Sequence, residues 1–508
     1  MVTIDFEAHE KAAKMLPESR IVIGGVESSE GSAGVYEHVN PSTGRVQAEI
    51  PMGGASEINR AVEAAQRAFD GGWGSMRPAK RRRLLTKFAA LITDHLEDFA
   101  QIAPLENGVP ISAFRGGQFS IIEEYTNYYA GWADKISGQV NAGYSNEEHF
   151  EYSIAEPYGV VAHIITWNAP ALSLAIKIPA CLAAGNTVVI KPSEITPFSA
   201  VLWVRLAQEA GIPDGVVNVV TGSAEAGEAL VAHPGVGKIS FTGGLPTAQR
   251  IMRTAADPLT PVILELGGKG PNLFFEDADF GPSVAHGAAM CMGNTGQGCT
   301  SPSRLIVAEG IYEEVIEGVK ATLASLVTGD PLDPATGLGP VVNEAARVRI
   351  LATIAEADEK GWGKLVVGGN RIGEVGNFIE PTLFIDTDNS SPLAQKEIFG
   401  PVLVMMPFKT ESEAVALANN SNYGLTAWIQ SRDVNRVTRL VSQLHAGNIV
   451  VNPGPNALSC PNLSFGGVKM SGIGREGGKA GLDEYLRTKA VSISKDVNNF
   501  GHVNIRDV

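Results

Sequence analysis

Apolar residues recur at helical spacing along Ala55–Phe69, and Ser56 is the candidate N-cap. Ala79–Asp98 repeats the pattern, with Leu84, Leu85, Phe88, Leu91, Ile92 and Leu96 on one stripe. Apart from a short strand-like opening, the first part of the chain therefore reads as helical. From about residue 158 the texture changes. Short Val/Ile-rich runs at Gly159–Thr166, Thr187–Ile190, Val216–Val220, Lys238–Phe241 and Val262–Leu266 alternate with helical runs at Ala171–Ala184, Ser199–Ala210, Glu225–His233 and Thr247–Ala256. Continuous apolar strands separated by helices predict a parallel sheet covered on both faces. Its ligands are expected at the carboxyl ends of the strands.

A second alternating region follows from Gly267 to Asn452. Its predicted strands are Arg304–Val307, Leu365–Val367, Pro401–Pro407, Thr426–Ile429 and Asn448–Asn452. Two stretches with polar alternation, Ser137–Tyr158 and Glu484–Val497, stand outside both regions and suit strands that pair with a neighbouring subunit. No period of 20–50 residues repeats, and no segment is of low complexity.

The 508 residues allow roughly two to four domains. A formal charge of -15 argues against nucleic acid or an anionic membrane surface as partner. It leaves room for a phosphate-bearing cofactor held by backbone N–H groups. The first twenty residues lack the pattern of a signal peptide, and no apolar run approaches a membrane span, so a cytoplasmic location is expected. The four cysteines form no CxxC pair, which makes neither a disulfide framework nor a zinc site.

Four clusters carry candidate chemistry. Asn294-Thr-Gly-Gln-Gly-Cys299-Thr300 places one thiol among glycines after a helical run, although a lone cysteine is as readily a small buried hydrophobe. Val262-Ile-Leu-Glu265-Leu-Gly-Gly-Lys269 ends an apolar strand on a carboxylate. Burial there would raise its pKa and suit a general base, whereas a solvent-facing strand end would not. Thr166-Trp-Asn168 offers an amide at a strand tip, either as a helix cap or as a donor to an oxyanion. Lys191-Pro-Ser193-Glu194, Thr221-Gly222 and Phe241-Thr242-Gly243-Gly244 follow three successive strands, the expected bed for phosphate and ribose. None of these makes the GxGxxG fingerprint in a strand–helix context.

Taken together, and joined by Glu397-Ile-Phe399-Gly-Pro401, Tyr423-Gly-Leu425 and Phe465-Gly-Gly-Val-Lys-Met-Ser-Gly472, these motifs resemble the aldehyde dehydrogenase superfamily in order and spacing. The resemblance spans residues from about 20 to 490. It implies an α/β fold of two doubly wound α/β domains, a Rossmann-like cofactor domain and a catalytic domain, plus a small β oligomerisation arm. The expected divisions are 1–136 with 159–266 for NAD, 267–455 for catalysis, and 137–158 with 484–508 for oligomerisation into a homodimer or homotetramer.

The resemblance also implies roles. Cys299 matches the nucleophile that forms a thiohemiacetal and then a thioester. Asn168 matches the oxyanion donor, and Glu265 the base that activates water. Ile165, Trp167, Lys191, Ser193, Glu194, Gly222, Phe241, Thr242, Gly243, Gly244, Glu397 and Phe399 match the cofactor bed. A carboxylate at Glu194 repels a 2′-phosphate, which favours NAD over NADP. Lys177 and Glu476 match a proton or water route. Ala169, Leu172, Ser173, Ile176, Gly298, Thr300, Ser459 and Phe465 match the substrate pocket.

This chain departs from the family's usual pattern at several positions. Gly244 stands where a serine is frequent, and Ala248 where a glycine is. Ala169, Ser173 and Ile176, on one helix face, replace larger residues and predict room for a bulky aromatic or terpenoid aldehyde. The alternatives are a CoA-acylating semialdehyde dehydrogenase, a subgroup that typically lacks the glutamate found here at position 265, and a catalytically silent structural relative.

Overall fold

The computed structural model describes residues 2–141, 149–454, 457–458 and 460–494. Two large sheets organise them. In the first, five parallel strands run in the order Val262–Glu265, Val236–Thr242, Val160–Ile164, Thr187–Lys191 and Val217–Val219. Their burial explains the unbroken apolar runs: Thr187–Lys191 is buried throughout, as a parallel strand covered on both faces must be. The chain winds outward through the first three strands and then crosses back to lay Val236–Thr242 beside the first. The order therefore reverses between Val160–Ile164 and Val236–Thr242, where a doubly wound sheet opens a crevice.

Antiparallel strands close both edges of this sheet. Ile21–Ile23 and Val26–Ser28 form one edge. At the other, Gly472–Ile473 pairs with Leu264 and Glu265, so a segment late in the chain completes the first sheet.

The second sheet has the order Lys364–Val367, Thr382–Ile385, Val402–Phe408, Arg304–Ala308, Pro271–Phe274, Thr426–Gln430 and Asn448–Val451. It is parallel except for Lys364–Val367. The predicted strands all recur here, joined by two that the pattern did not separate from loops, Pro271–Phe274 and Thr382–Ile385. A third sheet pairs Leu486–Ser494 with His149–Pro157 along nine residues each, and Val140–Asn141 adds to its far edge.

Local chemistry sets the helix ends. Pro170–Ala184 has Pro170 in its first turn and left-handed Gly185 at its end. The expected helix Ala79–Asp98 is two helices, Pro78–Asp94 and Leu96–Glu106, with His95 out of helical conformation between them. Ser56 is not the N-cap of Ala55–Ala68. Gly54 holds that position, and the Glu57 carboxylate accepts its N–H at 2.9 Å. A carboxylate serves there because the first helical N–H groups lack intrahelical partners. No helix among the described residues is long and apolar enough to cross a membrane.

Candidate active site

The helix Phe280–Met292 runs into a tight turn that carries the nucleophile candidate. Asn294 (φ 50°), Thr295 (φ 54°) and Gly296 (φ 72°) are left-handed in succession. For Asn294 and Thr295 this is a strained geometry, held by surrounding contacts. Gly296 is required, since a Cβ there would lie 2.0 Å from the Gly400 carbonyl oxygen. Fully buried Gln297 locks the turn: its Oε1 accepts the Val342 N–H at 2.9 Å. The turn delivers Gly298, Cys299 and Thr300 to the wall of a cavity of about 340 Å³.

Cys299 is partly exposed, unlike fully buried Cys181 and Cys291. Its surroundings push the thiol up to about 12, through desolvation first and then the carboxylates of Glu397 and Glu265. At neutral pH the resting sulfur is therefore a thiol, and attack requires removal of its proton.

Glu265 ends the strand Val262–Glu265 and lines the same cavity. It is 4% exposed, and neither carboxylate oxygen has a hydrogen-bond partner among the described residues. Burial raises its pKa well above the ordinary carboxylate range, Glu476 adds to the rise, and Lys177 opposes it. The buried alternative for this glutamate is the one realised.

Lys177 and Glu476 are in direct contact, 1% and 7% exposed, and the Lys177 ammonium also donates to Ser240 Oγ at 3.0 Å. Glu476 reaches the cavity wall beside Glu265.

Asn168 follows the central strand and lines the cavity as well. Its Nδ2 donates to the Gln297 carbonyl at 2.7 Å, and its Oδ1 accepts from Thr166 Oγ1 at 2.7 Å. Its backbone carbonyl accepts from Asn294 Nδ2 at 2.9 Å and from Asn107 Nδ2 at 3.1 Å. The same Asn107 amide holds the Trp167 carbonyl at 3.1 Å. Asn107 is 2% exposed and was not singled out in the sequence; as one asparagine before a glycine it reads as a turn residue.

The other expected groups lie along the strand ends. Ile165 and Trp167 follow the first parallel strand, and the Trp167 ring meets Phe399 edge-on, centroids 5.3 Å apart. Lys191 closes the second strand, with its ammonium 3.9 Å from Glu194. Ser193 lies in the same turn. Gly222 follows the third strand; Phe241 and Thr242 end the fourth, and Gly243 and Gly244 follow it. Gly244 opens onto free space, its nearest neighbour to an added Cβ being Pro246 at 3.8 Å. Glu397 reaches back from the second unit to accept the Gly268 N–H at 3.0 Å. Desolvation raises its carboxyl to about 6. A Cβ at Gly267 would lie 2.1 Å from the Glu397 carboxylate, so any larger residue there would displace that carboxylate.

Ala169, Leu172, Ser173, Ile176, Gly298, Thr300 and Phe465 all line the cavity. Ser459 lies outside the described residues. The wall also includes Gly117, Gln118, Ile121, Tyr125, Leu266, Met290 and Trp428, which the sequence did not mark, and Ala457 and Leu458. Several sit on helices or strands whose apolar periodicity looks like ordinary core, so no local signal marks them.

A cysteine, a carboxylate and an amide thus converge on one cavity beside a doubly wound α/β sheet. The aldehyde dehydrogenase family model matches residues 27–491. Aldehyde dehydrogenase family 2 member C4 of Arabidopsis thaliana is 40% identical over 486 residues, 94% of this chain and 95% of that protein. The NAD+ complex of an aldehyde dehydrogenase from Bacillus cereus superposes with a TM-score of 0.92 at 36% identity, covering 97% of this chain and 100% of the other. An NADP dependent enzyme from E. coli superposes at 0.91 with 34% identity, covering 95% and 99%. The chain belongs to the aldehyde dehydrogenase family.

Proposed function

We propose that this protein oxidises a bulky aldehyde to its carboxylic acid with NAD, through a thioester on Cys299 that water hydrolyses. The observation that carries the reading is the convergence of Cys299, Glu265 and Asn168 on one cavity at the carboxyl edge of the first sheet. Loss of the thiol proton, with Glu265 the nearby base, lets the sulfur attack the aldehyde carbon and form a thiohemiacetal. One Asn168 N–H is engaged by Gln297; the second N–H of that amide, with the Cys299 backbone N–H, holds the oxyanion. When bound, NAD accepts the hydride that leaves the thiohemiacetal carbon. Glu265 passes the thiol proton on to solvent, takes a proton from water as the water attacks the thioester, and returns it to the departing sulfur, so that the carboxylic acid leaves and the thiol is restored.

The strand ends suit the cofactor. The buried hydroxyls of Thr196, Thr221 and Thr242 have no partner among the described residues, and such groups call for a ligand. Lys191 and Glu194 would hold the adenosine ribose, and Glu397 with Phe399 the nicotinamide ribose. Ile165, Trp167, Ser193, Gly222 and the Phe241–Gly244 turn would border the rest. Glu194 disfavours a 2′-phosphate, which supports NAD.

The paired strands His149–Pro157 and Leu486–Ser494 would build a homodimer or homotetramer, and the protein would act in the cytoplasm.

Ala169, Ser173 and Ile176 leave the cavity wide, which supports an aromatic or terpenoid aldehyde over acetaldehyde. A kcat/KM panel across aldehyde sizes, followed by NADH absorbance, tests this. Highest efficiency on two-carbon aldehydes would refute the size argument, and unchanged turnover in Cys299→Ala would refute the mechanism. Acyl-CoA formation on adding CoA would move the protein to the acylating subgroup.

A further inference from the structure

The substrate cavity is mostly apolar, yet three residues that line it each carry a buried polar atom with no hydrogen-bond partner among the described residues: Ser173 Oγ, Trp428 Nε1 and Gln118 Oε1. Ser173 is 7% exposed and Trp428 0%. These side chains come from unrelated parts of the chain, the helix Pro170–Ala184, the strand Thr426–Gln430 and the junction before the helix Phe119–Ala130. Leaving a buried donor or acceptor unpaired costs its desolvation with no hydrogen bond in return. Most buried polar atoms in a folded protein are satisfied, so several orphans around one cavity point to a ligand that pairs them.

We infer that the aldehyde accepted here carries a hydroxyl group on its apolar body, and that Ser173 and Trp428 are specificity-determining residues for it. The inference rests on the bulky-aldehyde reading above and narrows it. An indole N–H only donates, so Trp428 requires an oxygen acceptor on the ligand. A serine hydroxyl both donates and accepts, and the Gln118 oxygen accepts. A hydroxyl supplies both functions in one group. An unsubstituted hydrocarbon body leaves all three atoms unpaired, and sites built to bond a hydroxyl reject analogues that lack one. None of the three is needed for chemistry at the sulfur, which Asn168 and Glu265 serve.

The test compares benzaldehyde with its 2-, 3- and 4-hydroxy derivatives in the full-length enzyme with NAD. At least one hydroxylated isomer should exceed benzaldehyde in kcat/KM by roughly tenfold, the value of one or two net hydrogen bonds. Hydroxylation also alters the intrinsic reactivity of the aldehyde, so the decisive quantity is how the ratio for that isomer changes between wild type and variant. In Ser173→Ala or Trp428→Phe it should fall at least threefold, because the electronic effect cancels. A wild-type ratio of one or below for every isomer overturns the inference, as does a ratio that neither variant moves. Failure of the broader reading looks different: it is the absence of activity on every aromatic aldehyde, or higher efficiency on acetaldehyde than on benzaldehyde.

Discussion

Replacing Asn107 with alanine tests whether the oxyanion donor is positioned from outside the cavity. Asn107 is 2% exposed, and its amide nitrogen lies 3.1 Å from both the Trp167 and the Asn168 carbonyls. Truncation removes these two hydrogen bonds and a third, from the Val109 N–H to Asn107 Oδ1 at 3.3 Å, each worth about 0.5–1.5 kcal/mol net. The two carbonyls fare differently. Asn168 keeps the Asn294 amide at 2.9 Å, while the Trp167 carbonyl loses the Asn107 amide. The strand-end loop then relaxes around Trp167, one residue before the group that holds the oxyanion. A displacement near 1 Å at such a position lowers turnover by about 10²-fold. The loss has a ceiling, since removing the donor itself in Asn168→Ala costs about 10²–10³ in kcat. We therefore expect kcat in Asn107→Ala to fall by roughly 10- to 100-fold. Asn107→Asp should lose more, because it sets an acceptor against two carbonyl oxygens. Steady-state kinetics on a good aldehyde substrate, combined with the Asn107→Ala/Asn168→Ala double variant, gives the decisive reading. A residue that acts only through Asn168 adds nothing once Asn168 is gone, so the double variant should match Asn168→Ala. Multiplicative losses would refute the positioning role, and so would a kcat within twofold of wild type in Asn107→Ala.

Four further outcomes follow from the same site. Glu265→Gln should slow deacylation by about 10²–10⁴ while the first NADH burst persists in stopped-flow absorbance. Because burial raises the Glu265 pKa, the folded state retains its proton above the ordinary carboxylate value of about 4.3. Hydrolysis should therefore fall as pH drops through the raised value, and the Tm of Glu265→Gln should gain on wild type as pH rises through that window. Lys177→Met removes the cation that opposes this rise, so the acidic limb of the kcat profile should move to higher pH. Gly244→Ser fits the open space at that turn and should lower the KM for NAD several-fold in initial-rate assays.

Patterning alone located the first sheet well, because a parallel strand buried on both faces leaves an unbroken apolar run such as Thr187–Lys191. It missed Pro271–Phe274, which begins with proline and carries the buried polar Asn272, and so does not look like a strand. It ran two helices together at His95, a residue of ordinary helical character that tertiary packing sets in another conformation. Cys299, Glu265 and Asn168 could be picked out because each sits at a glycine turn or strand tip. Whether Glu265 was buried could not be read locally, since the groups that surround it, Lys177 and Glu476, lie far away in sequence. Trp428 and Met290 carry no mark of function at all. They enter the cavity wall only once the second sheet and the helix Phe280–Met292 are set against the first.

Gly472–Ile473, the strand sewn to the edge of the first sheet, has a consequence for synthesis. It pairs with the strand that ends in Glu265 and leads directly to Glu476, yet roughly 200 residues of the second unit separate the two in the chain. At about 5–20 residues per second, a ribosome needs on the order of 10–40 s to cover that interval. Throughout it, the nascent first sheet has an open edge and Glu265 lacks the neighbour that tunes it. The carboxylate thus acquires its folded surroundings only when the last stretch of sheet is laid down.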